Sequence, residues 1–260
     1  MKPSKSLQNR LIRHLREWHR KLGIMAAFFI IFLSITGVAL NHTATLSLAH
    51  QPIKNTLLLD HYGIATPEDI RFYQQGLLRV TNNIVWLDDE LLFESATDIV
   101  SAGAMAINIS KDTIIDVFVI ASQSHLYIYD KQGEMLDQLG VETGIPEGIE
   151  ALNLNNNIIV VKTASGYYQS DGDFLLWQNI HPLIEPEWIM SETVSSQKLQ
   201  QAALAYRSQF LTLERIILDA HSGRILGLVG VLFMDAVAIL LILLSLSGIY
   251  IWVRYARSKR

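Results

Sequence analysis

Two apolar runs near the chain ends decide most of what this sequence can fold into. Leu22–Leu40 (LGIMAAFFIIFLSITGVAL) and Val231–Val253 are each long enough to cross a hydrocarbon core of about 30 Å, which takes roughly 20 apolar residues at helical rise. Histidines mark their edges. His19 precedes the first run and His42 follows it, while His221 sits in the segment Leu218-Asp219-Ala220-His221-Ser222-Gly223-Arg224 ahead of the second. Imidazoles at both faces of a membrane are the side chains with which helical proteins hold haem iron.

Charge orients the chain. Residues 1–21 carry seven Lys and Arg against Glu17 alone, and residues 254–260 carry four with no acid. The rest holds ten basic residues, 23 acids between the spans, and Asp235 inside the second span. The middle therefore carries a net charge of about −13 and the ends are basic. Because Lys and Arg beside a span stay cytoplasmic, both ends are expected in the cytoplasm and the middle across an inner membrane, in the periplasm. The segment Leu40-Asn41-His42-Thr43 lacks a small-x-small cleavage pattern, so the first run is expected to be retained as an anchor. The domain plan is a basic tail over 1–21, a span over 22–41, a periplasmic domain over 42–227, a span over 228–253 and a basic tail over 254–260. No nucleic-acid partner is expected.

The sequence contains no cysteine. Disulfides, thiolate chemistry and Cys-ligated clusters are thereby excluded, and any metal must be held by His, Met, Tyr or carboxylates. The middle reads as β. Leu77–Phe93, Asp116–Leu136 and Ile158–Trp177 each alternate apolar runs with polar turns (Asp88-Asp89-Glu90, Asp130-Lys131-Gln132-Gly133, Ser170-Asp171-Gly172-Asp173), about every 40 residues. This predicts a blade-like antiparallel meander. Three units are fewer than a closed propeller needs, so a partial propeller, a sandwich and completion by a second subunit stay open. Over 190–227 a small α+β unit is expected. It comprises a helix over Lys198–Phe210 capped by Ser196, a β-rich run over Leu211–Leu218, and the turn holding His221.

Several of these pieces together resemble a known family. They are Trp18-His19-Arg20-Lys21-Leu22-Gly23, Thr36-Gly37, Leu40-Asn41-His42-Thr43, Tyr62-Gly63-Ile64, Asp219 through Gly227, and Ser247-Gly248-Ile249-Tyr250-Ile251-Trp252. In these the chain is similar to the PepSY-associated transmembrane proteins of bacterial inner membranes. That resemblance implies a link to iron uptake, and some relatives resemble haem-bearing reductases of ferric iron or ferric siderophores.

The candidate ligands are His42, His221 and His19. His42 and His221 are expected at the outer face, where two imidazoles could sandwich one haem b. His19 lies 23 residues before His42, about 35 Å at helical rise, so those two cannot share an iron. A bis-imidazole site at the inner face then takes His19 from each subunit of a homodimer, the commonest oligomer. Positions 19, 23, 26, 30, 34 and 37 form a stripe of mostly small residues, which admits either a close helix or a flat macrocycle. Gly223, Gly227 and Gly230 suggest close packing outside the second span. Asp235 either orients an imidazole from behind or pairs with a base such as Arg224. The resulting expectation is a dimeric membrane protein passing electrons from an unnamed donor to periplasmic ferric iron or a ferric chelate. The rival expectation is a non-enzymatic adaptor, assembly factor or sensor whose β domain binds a partner.

Overall fold

The computed structural model describes residues 5–110, 113–155 and 157–258. Two compact units divide the chain: one holds both ends, up to Ile53 and from Ser208, and the other is Lys54–Arg207.

In the first unit, α1 (Lys5–Asn41) and α5 (Gly227–Ser258) are the long helices. Only 6% of the most apolar stretch of α1 and 11% of that of α5 is buried within the chain. Phe28, Ile31, Leu243 and Leu246 are among the large apolar side chains left facing outward. Such all-round hydrophobicity is compatible with hydrocarbon and not with water. The two helices touch along a narrow seam, with Ala26 and Val237 buried and the Phe29 and Phe233 rings 5.5 Å apart, edge to face.

The segment before the second span differs from expectation. Leu213–Ser222 is a helix, α4, and not a strand. The adjacent β-branched residues Ile216 and Ile217 suggest extension, yet Leu213, Ile216, Ile217 and Ala220 follow the i, i+3, i+4, i+7 helical pattern. Thr212 Oγ1 accepts the Arg215 N–H at the N-terminus, Glu214 lies in the first turn, and Gly223 closes the C-terminus at φ 78°. Extended structure here amounts to one antiparallel bridge, Pro52 to Thr212. Gly223 and Gly230 pack backbone to backbone within the chain: a Cβ on Gly230 would sit 1.9 Å from the Gly223 carbonyl oxygen, whereas Gly227 faces open space.

The second unit is built from three four-stranded antiparallel sheets, each a meander in chain order. The first has β1 (Ile70–Tyr73), β2 (Leu78–Thr81), β3 (Ile84–Leu87) and β4 (Glu90–Glu94). In the second are β5 (Ile99–Ser110), β6 (Thr113–Ser122), β7 (Leu126–Asp130) and β8 (Met135–Leu139). The third has β9 (Ile149–Asn155), β10 (Ile158–Thr163), β11 (Gly166–Ser170) and β12 (Trp177–Ile180). Each repeated sequence stretch thus runs from the second strand of one sheet through the third and into the fourth. Asn82 at φ 53° and Asp88 at φ 54° make the tight turns, and Asp130 Oδ1 accepts the Gln132 and Glu134 N–H groups at another.

The middle sheet carries core on both faces. Phe118 and Ile120 of β6 pack with Leu78, Val80 and Val85 of the first sheet, while Val117, Val119 and Ala121 pack with Leu152, Ile159 and Val161 of the third. That explains the unbroken apolar run of β6. After β12, residues 187–192 cross the starts of all three sheets. Glu187 O accepts from Asn153 Nδ2, Ile189 N–H donates to Leu152 O, Ser101 Oγ donates to Ile189 O, and Glu192 N–H donates to Phe72 O. The Ile189 side chain packs against both core clusters. It lies over Gly103, where a Cβ would stand 2.6 Å from its Cδ1. Gly103→Val should therefore lift this strap and cost about 1–3 kcal/mol through overpacking. A lower thermal midpoint together with faster proteolysis within 181–195 is the expected result; an unchanged pair of values would remove Ile189 as the keystone.

Two further helices, α2 (Thr56–His61) and α3 (Ser196–Ser208), complete this unit. Ser195 Oγ, rather than Ser196, accepts the Lys198 N–H at the start of α3. Arg207 is buried, donates through Nε to Ile64 O and pairs with Asp60. Arg79 on β2 lies buried 4.6 Å from the Trp86 ring centre, and its burial lowers the guanidinium pKa against the opposing pull of Asp89.

Candidate functional site

The helical unit places two of the predicted imidazoles in matching seats. His19 reaches from α1 toward α5, with Nδ1 2.9 Å from Ser247 Oγ. His221, in the last turn of α4, reaches α1 with Nδ1 2.7 Å from Thr36 Oγ1. Each hydroxyl is also bonded to its own helix: Ser247 Oγ donates to Leu244 O at 3.0 Å, and Thr36 Oγ1 to Phe32 O at 2.9 Å. A glycine follows each hydroxyl. A Cβ on Gly248 would stand 3.3 Å from His19 Cε1, and one on Gly37 would stand 3.7 Å from His221 Cε1. In both seats, then, the hydroxyl meets Nδ1 and a glycine lies beside Cε1, closely enough at Gly248 that a side chain there would crowd the ring.

Open space adjoins the first seat. A groove of about 720 Å³ runs beside His19, Gly23, Ala26, Leu244, Ser245 and Gly248, within the size range of small-molecule and cofactor sites. Nothing lies within 4 Å of where a Gly23 Cβ would be. The small-residue stripe differs along its length. At Ala26 it admits the neighbouring helix, and at Gly23 it leaves a gap.

The other predicted residues make no side-chain bond to either seat among the contacts of the described residues. His42 is exposed just past the end of α1, its N–H donating to Val38 O and Ala39 O. It stands five residues beyond Gly37, the glycine of the His221 seat. Asp235 is exposed along α5, and the Nδ1 partner of His221 is Thr36. The buried carboxylate is instead Asp219, whose Oδ2 lies 2.8 Å from Arg215 Nε one turn earlier. The remaining histidines have local settings: His14 lies 3.9 Å from Glu17, His61 meets Tyr62 edge to face, and His125 bonds Ser124 and stacks on Tyr127. His50 and His181 are exposed. Among the described residues no cluster of three or more His, Asp or Glu side chains could by itself hold a metal ion.

Thr36, Ser247 and Gly248 were the residues that reading the sequence missed as site residues. Their signal was present in the repeated dipeptide, hydroxyl then glycine, once in each span.

No curated protein matches the chain. Among solved structures it is similar to a crystal structure of the N-terminal domain of Nup159, at 11% identity and a TM-score of 0.29, over 52% of this chain and 46% of that one. The model of the PepSY-associated TM region matches residues 2–255, which takes in both spans, both histidine seats and the three-sheet unit between them in sequence; the chain belongs to that family of membrane proteins.

Proposed function

We propose that this protein is an inner-membrane haem b protein that passes electrons outward to periplasmic ferric iron or a ferric chelate. The observation that carries the reading is the pair of matching imidazole seats, set far apart along one membrane hairpin. His19 and Thr36 are separated by 17 residues of α1, about 25 Å at helical rise, so two iron centres near opposite faces fit the helix pair better than one. Basic ends and an acidic middle support cytoplasmic termini and a periplasmic β unit.

The residues fit the group. Both imidazoles are half-buried, each is held at Nδ1, and an apolar groove lies beside His19. His221 would hold iron at the outer face with His42 as the second ligand. His19 would do so at the inner face with the His19 of a second copy. Two helices cannot surround a macrocycle, and cofactor sites in bundles are made from facing helices, so a homodimer supplies what one hairpin lacks. Bound haem supplies one-electron chemistry, and the protein's part is position and ligand field. The electron donor meets the cytoplasmic or bilayer side of the His19 seat.

Purified protein, reduced anaerobically and mixed with a ferric chelate such as ferric citrate, is the test. A reduced α-band that disappears on mixing, with ferrous iron formed, is expected. A band that persists unchanged would remove ferric reduction from the reading and leave haem binding to be judged alone.

A further inference from the structure

We infer that Thr36-Gly37 and Ser247-Gly248 are tautomer-setting seats: they hold His221 and His19 with the proton on Nδ1, so that Nε2 is the nitrogen each ring presents to a ligand. Counting protons at each hydroxyl fixes the tautomer. A hydroxyl owns one hydrogen and can accept through its lone pairs. Thr36 Oγ1 lies 2.9 Å from Phe32 O and 2.7 Å from His221 Nδ1. Ser247 Oγ lies 3.0 Å from Leu244 O and 2.9 Å from His19 Nδ1. A carbonyl oxygen cannot donate, so a hydroxyl that keeps its helix bond has only lone pairs to offer the ring, and Nδ1 must carry the proton. That arrangement makes two hydrogen bonds at each seat. The opposite tautomer forces the hydroxyl to turn its hydrogen to Nδ1, which breaks the bond to the helix carbonyl and makes only one. In an apolar setting the two-bond state prevails.

Gly248 sets the ring position at its seat, and Gly37 does not constrain the other. At 248 an added methyl would come within 3.3 Å of Cε1, tight enough to push the ring, whereas at 37 the 3.7 Å spacing is ordinary contact. Gly248→Ala is therefore the more disturbing of the two.

Neutral hydroxyls occupy the place that carboxylates or backbone carbonyls usually take behind a metal-bound imidazole, where outer partners fix the tautomer and tune the ligand. Thr36 and Ser247 are thus positioning residues. What the rings ligate rests on the haem reading above; the tautomers themselves do not.

Nitrogen-15-labelled histidine in the full-length, membrane-reconstituted protein reads the tautomers directly, with His19→Gln and His221→Gln assigning the signals. In haem-free wild-type protein both rings should show a protonated Nδ1 and a bare Nε2. Thr36→Val should give His221 mixed tautomers without touching His19, Ser247→Ala should do the reverse, and Thr36→Ser should restore the wild-type pattern. If the protein carries haem, either loss should also weaken its retention at that seat by about tenfold or more and alter the low-spin resonance spectrum. Protonated Nδ1 in protein that never takes up haem would uphold the seats and overturn the haem reading. Protonated Nε2 in wild type, or tautomers indifferent to Thr36→Val and Ser247→Ala, would overturn the seats whatever the haem content.

Discussion

His19→Ala should remove the inner iron site and abolish ferric reduction while leaving the outer site spectrally intact. The second span ends without a histidine and His14 lies exposed beside Glu17, so no other histidine at the His19 end of the helix pair replaces the lost imidazole. Electrons entering from that side would then face the whole length between the His19 and His221 seats. At the outer face His221→Ala should remove the other site, and His42→Ala should do the same if those two share an iron. The double change should be little worse than either single one, because one missing axial ligand already breaks a bis-imidazole centre. A normal low-spin spectrum in both outer single mutants would reject the His42–His221 pair. Undiminished reduction and haem content in His19→Ala would reduce that histidine to an interfacial residue.

The second large effect falls on a residue without chemistry. Gly230→Val should prevent the joint between α4 and α5 from closing. A Cβ there meets the Gly223 carbonyl oxygen at 1.9 Å, and one on Gly223 meets the Gly230 oxygen at 2.3 Å. Both partners are backbone, so no rotamer change relieves the clash, and the cost should reach or exceed the roughly 1–3 kcal/mol of ordinary overpacking. Gly223 also holds φ 78° to cap α4, two residues after His221, so displacing it displaces the ring from Thr36. Loss of monodisperse folded protein, with any surviving fraction lacking the outer site, is the expected outcome. Gly23→Ala is the control. That position has open space, and alanine favours a helix over glycine by up to about 1 kcal/mol. Equal stability losses in the two variants would mean that the Gly223–Gly230 contact is not what holds the joint.

Much of this architecture can be read from the chain. The spans are visible because hydrocarbon demands a length and composition that nothing else in the sequence has. The sheets are visible from their turns, since Asn82-Asn83, Asp88-Asp89 and Asp130 through Gly133 supply the conformations that hairpins need. What escaped was each sheet's first strand. β5 reads Ile-Val-Ser-Ala-Gly-Ala-Met-Ala, too rich in small residues to announce itself, because it lies against neighbours on both faces and under Ile189. The helix α4 was misread through its two isoleucines, although Thr212 and Gly223 already marked its ends. At the site, the histidines were legible as types at span edges. Their partners were not: Ser247 lies 228 positions from His19, and Thr36 lies 185 from His221. No local pattern reveals such a pairing. Only the antiparallel contact of α1 with α5, and of α1 with α4, turns a threonine and a serine into imidazole partners.

Haem in this membrane hairpin should be visible directly. Full-length protein, purified in mild detergent from cells supplied with haem precursor, should show an intense Soret band and a sharp reduced α-band. Haem extracted should correspond to about three per dimer, one His42–His221 site in each chain and one His19 site shared between them, and His19→Ala with His221→Ala together should abolish both bands. Protein that is folded and monodisperse yet colourless, and that takes up no added haem, would contradict the account.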